Sequence, residues 1–113
     1  MLLQIRFLYS ESCPSHDEAL NRLRKVLDEE GVDAGIEVIE IETFEEAIQH
    51  QYPGSPTILI NGDDIDPIRN PTYAPACRAY HLEDGRISPL PSLSMIRRAV
   101  RAAKENLKSE AQH

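Results

Sequence analysis

The chain has 113 residues, of which 41% are hydrophobic and 27% charged, the balance of one globular domain rather than of a disordered chain. Its formal net charge of −7 disfavours binding to nucleic acid or to anionic membranes, because both carry negative charge themselves. Two cysteines are too few for a disulfide-rich secreted scaffold. The N-terminal sequence lacks the basic leader of a signal peptide and any run long enough for a membrane span, so we expect a cytoplasmic protein with mostly reduced thiols.

The chain begins with a predicted buried strand over Leu3–Tyr9, because this segment is mostly apolar. A loop then leads into a helix with two possible N-terminal boundaries. Cys13 could be the N-cap with Pro14 at the first helical position, or Ser15 could be the N-cap with Glu18 as the reciprocal cap. In both cases Cys13 lies within one turn of a helix N-terminus.

The first helix is expected to end near Glu30, because Gly31 suits the position that follows a helix. A second strand with an exposed edge is predicted over residues 36–41, where apolar and acidic side chains alternate. Residues 43–46, Thr-Phe-Glu-Glu, form a capping box, which predicts a second, short helix.

A third strand is predicted over residues 57–60, and the Asn61-Gly62 pair after it is a strong hairpin signal. The returning strand would cover residues 63–66. Residues 67–91 are predicted to form an irregular, proline-containing insertion, within which residues 77–82 could be a strand.

A last helix is predicted from the helical spacing of apolar residues after Ser92 or Ser94, either of which could be its N-cap. The predicted order is β-α-β-α-β-β-α within a single domain over residues 1–113. A strand–helix–strand start requires a parallel pair, and the hairpin adds antiparallel strands. We therefore expect an α/β fold with a central mixed sheet of four to five strands flanked by helices.

Two segments resemble motifs of the thioredoxin-like superfamily. Residues 9–16, Tyr-Ser-Glu-Ser-Cys-Pro-Ser-His, resemble the active-site segment, where a reactive cysteine follows the first strand at the start of the first helix. Residues 54–62, Gly-Ser-Pro-Thr-Ile-Leu-Ile-Asn-Gly, resemble the segment that carries the cis-proline and the third strand. The chain is similar in particular to small bacterial thioredoxin-like proteins, some of them selenoproteins, with a Cys-Pro-Ser-Cys start.

The resemblance covers roughly residues 3–66 and the last helix, and the chain departs from it in two places. His16 replaces the second cysteine of the Cys-x-x-Cys pair, and the segment over residues 67–91 is longer than a minimal member needs. The family implies a thioredoxin-like fold, a nucleophilic Cys13, no bound cofactor, and a protein or small thiol or disulfide as substrate. It also implies a cis bond before Pro56, with the backbone around Ser55, Pro56 and Thr57 binding an extended substrate.

The groups around Cys13 have opposite effects on the ionisation of its thiol. A helix N-terminus favours a thiolate, and His16, one turn further on, could add positive charge or share a proton. Asp17 and Glu18 in the same turn oppose ionisation. The sequence alone leaves the sum of these effects open.

The role of Cys77 depends on the path of the hairpin. If the fourth strand is residues 63–66, the segment after it starts on the side of Cys13, and Cys77 could pair with Cys13 or resolve an intermediate. If the fourth strand is residues 77–82, Cys77 starts at the far end of the sheet and stays too distant for a disulfide.

The sequence is consistent with three functions. The first is a thiol-disulfide oxidoreductase that uses Cys13 as nucleophile, with His16 and Cys77 as catalytic partners. The second is a non-catalytic binding module on the same fold. The third is a soft-metal site at Cys13 and Cys77, although the sequence holds no dense ligand cluster. The oligomeric state does not follow from the sequence.

Overall fold

Four strands form one mixed sheet at the centre of the protein. The computed structural model describes residues 3–111, with side chains as far as residue 106. The strands are β1 (Leu3–Tyr9), β2 (Ala34–Glu40), β3 (Thr57–Ile60) and β4 (Asp63–Asp64), in the spatial order β2-β1-β3-β4. Strand β1 is parallel to β2 and antiparallel to β3, and β4 is antiparallel to β3. The predicted α/β class, the four-stranded mixed sheet and the edge position of the second strand are confirmed.

Three helices cover the two faces of this sheet: α1 (His16–Glu29), α2 (Phe44–Gln49) and α3 (Leu93–Ala111). Side chains alternate along β1, so Leu3, Ile5 and Phe7 pack with α1 and α3 in the larger core. Leu8 points to the opposite face, where it packs with residues around α2. The face of β1 with Leu3, Ile5 and Phe7 is therefore buried along its length, whereas on the other face Leu8 is buried and Gln4 and Arg6 are exposed.

The N-termini of α2 and α3 follow local capping signals, whereas that of α1 does not. Ser15 is the N-cap of α1, so the alternative with Cys13 as N-cap is wrong. The predicted reciprocal cap is also wrong, because the Ser15 side chain makes no capping hydrogen bond and the Glu18 carboxylate accepts from Arg22. The amide of Cys13 instead donates to the carbonyl oxygen of Ser10 at 3.0 Å, which forms a turn ahead of the helix. Thr43 caps α2 by accepting from the amide of Glu46 at 3.1 Å, and Ser92 caps α3 by accepting from the amide of Met95 at 3.1 Å.

The returning strand is shorter than predicted, and the insertion contains a shorter strand than the sequence suggests. Strand β4 ends at Asp64 rather than Asp66, because the Asp64 carboxylate accepts from the Asp66 amide at 2.8 Å and turns the chain. Residues 67–91 are mostly irregular, as predicted, with a small separate hairpin of β5 (Tyr80–His81) and β6 (Ile87–Ser88). Strand β5 lies within the predicted strand over residues 77–82 but covers only two of its residues. No helix within the described residues is long and apolar enough to cross a membrane.

Candidate functional site

Cys13 and Cys77 form a disulfide across the end of the sheet. Their Cα atoms are 5.7 Å apart, although 64 positions separate them in the chain. The first of the two hairpin paths is therefore correct, because β4 returns the chain to the side of Cys13. The bond joins the turn before α1 to the irregular segment over residues 67–91.

The backbone of Ser55 holds the segment that carries Cys77. The amide of Ser55 donates to the carbonyl oxygen of Ala76 at 2.7 Å, and the amide of Arg78 donates to the carbonyl oxygen of Ser55 at 3.1 Å. These two bonds make an isolated parallel bridge between Ser55 and Cys77. Gly54 permits this close approach, because its φ is +143° and a Cβ on it would lie 2.6 Å from the Cβ of Arg78.

Arg78 fixes the same segment from its other side. Its guanidinium is almost wholly buried, with Nη1 2.9 Å from the Asp64 carboxylate and Nη2 2.7 Å from the carbonyl oxygen of Asp66. The guanidinium also lies over the Tyr80 ring, 4.3 Å from its centroid. Sequence reasoning missed this role, because an arginine in an irregular segment normally predicts a solvated side chain.

A buried polar network also connects Ser55 to the turn that carries Cys13. The Ser10 amide donates to Oγ of Ser55 at 3.0 Å, and Oγ of Ser10 donates to the carbonyl oxygen of Ile41 at 3.1 Å. Oγ of Ser10 also lies 2.9 Å from the Tyr52 hydroxyl, and burial raises the pKa of Tyr52. Ser55 is thus the common anchor of both cysteines, holding Cys13 through Ser10 and Cys77 through the bridge.

The three residues that the resemblance assigns to substrate binding lie beside the disulfide but are buried. The Ser55–Pro56 peptide bond is cis, as expected. The carbonyl oxygen of Pro56 accepts from the Tyr80 hydroxyl at 2.6 Å, and Oγ1 of Thr57 donates to the carbonyl oxygen of Gly54 at 2.6 Å. With the Ser55 backbone bonded to residues 76 and 78, the chain itself occupies the polar groups of this edge.

His16 lies next to the backbone of Cys13. Its ring stacks on Tyr9 with the centroids 4.5 Å apart, and its Nδ1 is 2.8 Å from the carbonyl oxygen of Cys13. Its Nε2 is 3.5 Å from the Asp17 carboxylate. The structure therefore brings His16 to the site and gives it partners other than the cysteine sulfur.

The surface around the end of β1 is acidic. Burial raises the pKa of Tyr9, and the nearby carboxylates of Glu40, Glu11 and Asp17 raise it further. Burial also raises the pKa of Glu40, with added repulsion from Glu42 and Glu11. Negative charge on this side disfavours a further anion there.

The two sulfur-bearing residues differ sharply in exposure. Cys13 is 1% exposed, whereas Cys77 is exposed and lines an open cleft of about 490 Å³. Other residues that line this cleft include Pro67, Ile68 and Arg69. A reagent from solution can therefore reach one end of the disulfide more easily than the other.

The described residues contain no group of three or more histidine, cysteine, aspartate or glutamate side chains that could hold a metal ion. A disulfide sulfur is also a weaker ligand than the thiolate that soft metals prefer. With Cys13 and Cys77 joined as a disulfide, neither residue offers a thiolate to a metal ion.

Comparisons with family models, with curated proteins and with solved structures found no match to this chain. The class of protein that the fold and site define is a mixed α/β protein with a four-stranded sheet and one disulfide at the sheet's end.

Proposed function

We propose that this chain is a thiol–disulfide redox protein of the thioredoxin-like type, whose redox centre is the Cys13–Cys77 pair. The observation that carries the proposal is a disulfide with one buried and one exposed cysteine, held by the backbone around Ser55. A disulfide that solution thiols can reach can exchange, whereas a fully buried one serves only as a staple.

The thioredoxin-like assignment is supported by the order of the elements and by the position of the site. Cys13 follows β1 ahead of α1, and the cis Ser55–Pro56 bond precedes β3. The departure from the family pattern lies in the second sulfur. Cys77 from the irregular segment takes the place that a cysteine at position 16 would fill in a Cys-x-x-Cys pair.

The reaction moves two electrons between this disulfide and external thiols. Two thiols, RSH, reduce the bond to the Cys13 and Cys77 thiols and leave as the disulfide RSSR, and the reverse reaction oxidises the pair. The two protein sulfurs carry the electrons, and the partner is a protein or small molecule with a thiol or disulfide. We place the protein in the cytoplasm, where an accessible disulfide is usually transient, catalytic or redox-sensing.

A redox titration tests this function. The full chain is equilibrated in glutathione buffers of increasing reducing strength, quenched with acid, alkylated, and scored for oxidised and reduced protein by mass. We expect one two-electron transition at a midpoint between about −180 and −300 mV, the range of working thiol couples. A disulfide that stays closed well below about −300 mV would behave as a structural bond and would contradict the proposal.

A non-catalytic binding module is the second candidate, in which the disulfide is a fixed staple. The occupation of the Ser55 backbone by residues 76–78 argues against catalysis on a substrate bound at this edge and leaves the exposed part of residues 67–91 as the surface for a partner. The same titration separates the two candidates, since a staple resists reduction over the physiological range.

A further inference from the structure

The burial of the two cysteines suggests a direction for the exchange, which rests on the redox function proposed above. We infer that an incoming thiolate attacks Cys77 and that Cys13 is the leaving sulfur. This order is the opposite of the one expected from the sequence, in which Cys13 attacks and Cys77 resolves.

Access is the first argument for this order. Exchange requires a thiolate to reach the sulfur that it attacks, so the rate depends on which sulfur solvent can approach. Cys13 is 1% exposed, in the turn between β1 and α1. Cys77 is exposed as a residue and lines the open cleft of about 490 Å³, so the cleft gives a small thiol, or a protein thiol on a flexible segment, a path towards its sulfur.

Charge favours the same end of the disulfide. The acidic side chains around the end of β1, among them Glu11, Asp17 and Glu40, repel an approaching thiolate from the Cys13 side. The cleft at Cys77 is lined by both Arg69 and Asp66, whose opposite charges offset each other. The repulsion on the Cys13 side therefore carries the charge argument, and it adds to the difference in access.

The steps of this exchange balance in both directions. In reduction, RS⁻ bonds to the Cys77 sulfur, the Cys77–Cys13 bond breaks, and Cys13 leaves as a thiolate that then takes up a proton, because its acidic, buried surroundings disfavour the anion. A second RS⁻ then attacks the R sulfur of the mixed disulfide, which releases RSSR and the Cys77 thiolate. In oxidation, the Cys77 thiolate attacks RSSR and expels RS⁻, and Cys13 then attacks the Cys77 sulfur and expels the second RS⁻.

Arg78 keeps the segment of Cys77 near Cys13 after the disulfide opens. Its contacts with Asp64, Asp66 and Tyr80 involve neither sulfur, so they hold the segment of Cys77 in the reduced protein as well. Cys13 then meets the mixed disulfide at Cys77 as an intramolecular nucleophile, at a high effective concentration.

The first experiment traps the mixed disulfide on the wild-type chain. The oxidised protein is mixed with reduced glutathione, quenched with acid at early times, treated with N-ethylmaleimide and mapped by peptide mass. We expect glutathione on Cys77 and maleimide on Cys13. The reverse pattern would overturn the direction and leave the redox function intact. A disulfide opened by neither glutathione nor dithiothreitol would instead refute the redox function.

The second experiment tests the same direction of exchange if too little mixed disulfide accumulates for mapping. The Cys13→Ser and Cys77→Ser variants, both checked for folding by circular dichroism, are reacted with glutathione disulfide. We expect the Cys77 thiol of Cys13→Ser to react at least about tenfold faster than the Cys13 thiol of Cys77→Ser. In urea the two rates should converge, because the fold creates the difference. Equal rates in the folded proteins, or a faster Cys13, would overturn the inference.

Discussion

Gly54 and Arg78 touch so closely that position 54 has no room for a side chain. A Cβ on Gly54 would lie 2.6 Å from the Cβ of Arg78 and 2.9 Å from its backbone nitrogen. Because Arg78 directly follows Cys77, this contact sets how near the Cys77 segment comes to the cis-proline turn. The geometry of the disulfide therefore depends on a glycine that carries no chemistry of its own.

The Gly54→Ala variant should lose about 3 kcal/mol of unfolding free energy, from backbone strain together with the clash at Arg78. Urea unfolding of the oxidised protein measures this loss. Gly85→Ala is the matched control, because Gly85 also has a positive φ but nothing lies within 4 Å of its Cβ position. Its loss should be only about 1–2 kcal/mol, and equal losses in the two variants would show that the close approach is unimportant.

The Arg78→Met variant should lose about 3 kcal/mol of stability, because it leaves the largely buried Asp64 carboxylate without its partner. It should also lower the effective concentration of one thiol at the other. Glutathione should therefore reduce the disulfide of the variant more easily than that of the wild type. Arg86→Met is the control, since Arg86 pairs with Asp84 at an exposed site and its loss should change neither quantity measurably. An unchanged redox equilibrium in folded Arg78→Met would contradict a positioning role for Arg78.

Opening the disulfide should lower stability by about 4 kcal/mol in the chain-entropy description, because the bond closes a loop between residues 64 positions apart. Urea unfolding of the wild type with and without dithiothreitol measures the difference. The Cys77→Ser variant should match the reduced wild type and ignore dithiothreitol. A reduced form as stable as the oxidised one would mean that the bond constrains the unfolded chain little.

Glu30 should account for part of the acid sensitivity of the fold. The hydrogen bond from Arg101 lowers the pKa of this carboxyl, and the charges of Arg101, Lys104 and Arg97 lower it further. A lowered folded-state pKa contributes stability above the ordinary value of 4.5, and this contribution is lost as the pH falls through the folded value. Urea midpoints over roughly pH 3 to 7 should therefore fall less steeply for Glu30→Gln than for wild type. Glu45→Gln, at an exposed position of α2, should follow the wild type.

Most of the secondary structure could be predicted because its signals are local. The capping box at Thr43, the Asn61-Gly62 turn and the periodicity of α3 each act within a few residues. The start of α1 was ambiguous, since Cys13 and Ser15 are both plausible caps by sequence. The turn closed by the Cys13 amide and the Ser10 carbonyl oxygen decides it, and no local pattern predicts that turn.

The site was predictable only in part. Cys13 and Pro56 lie in recognisable segments, but the pairing of Cys13 with Cys77 depends on the path of residues 67–91, which have little regular structure. The burial of Arg78 arises from contacts with Asp64 and Tyr80 that form only in the folded chain. The difference in exposure between the two cysteines follows from the same tertiary contacts, so composition and spacing could not indicate it.

The bridge between Ser55 and Cys77 makes residues 76–78 an intramolecular occupant of the cis-proline edge. Because this occupant is covalently tethered, it competes with any peptide from solution at an effective concentration of about millimolar order. A partner present at micromolar concentration cannot pair with the Ser55 backbone while the disulfide and the Arg78 contacts hold the segment down. Recognition of the protein is then left to side chains around the cleft, and strand addition at this edge requires that residues 76–78 first leave the Ser55 backbone.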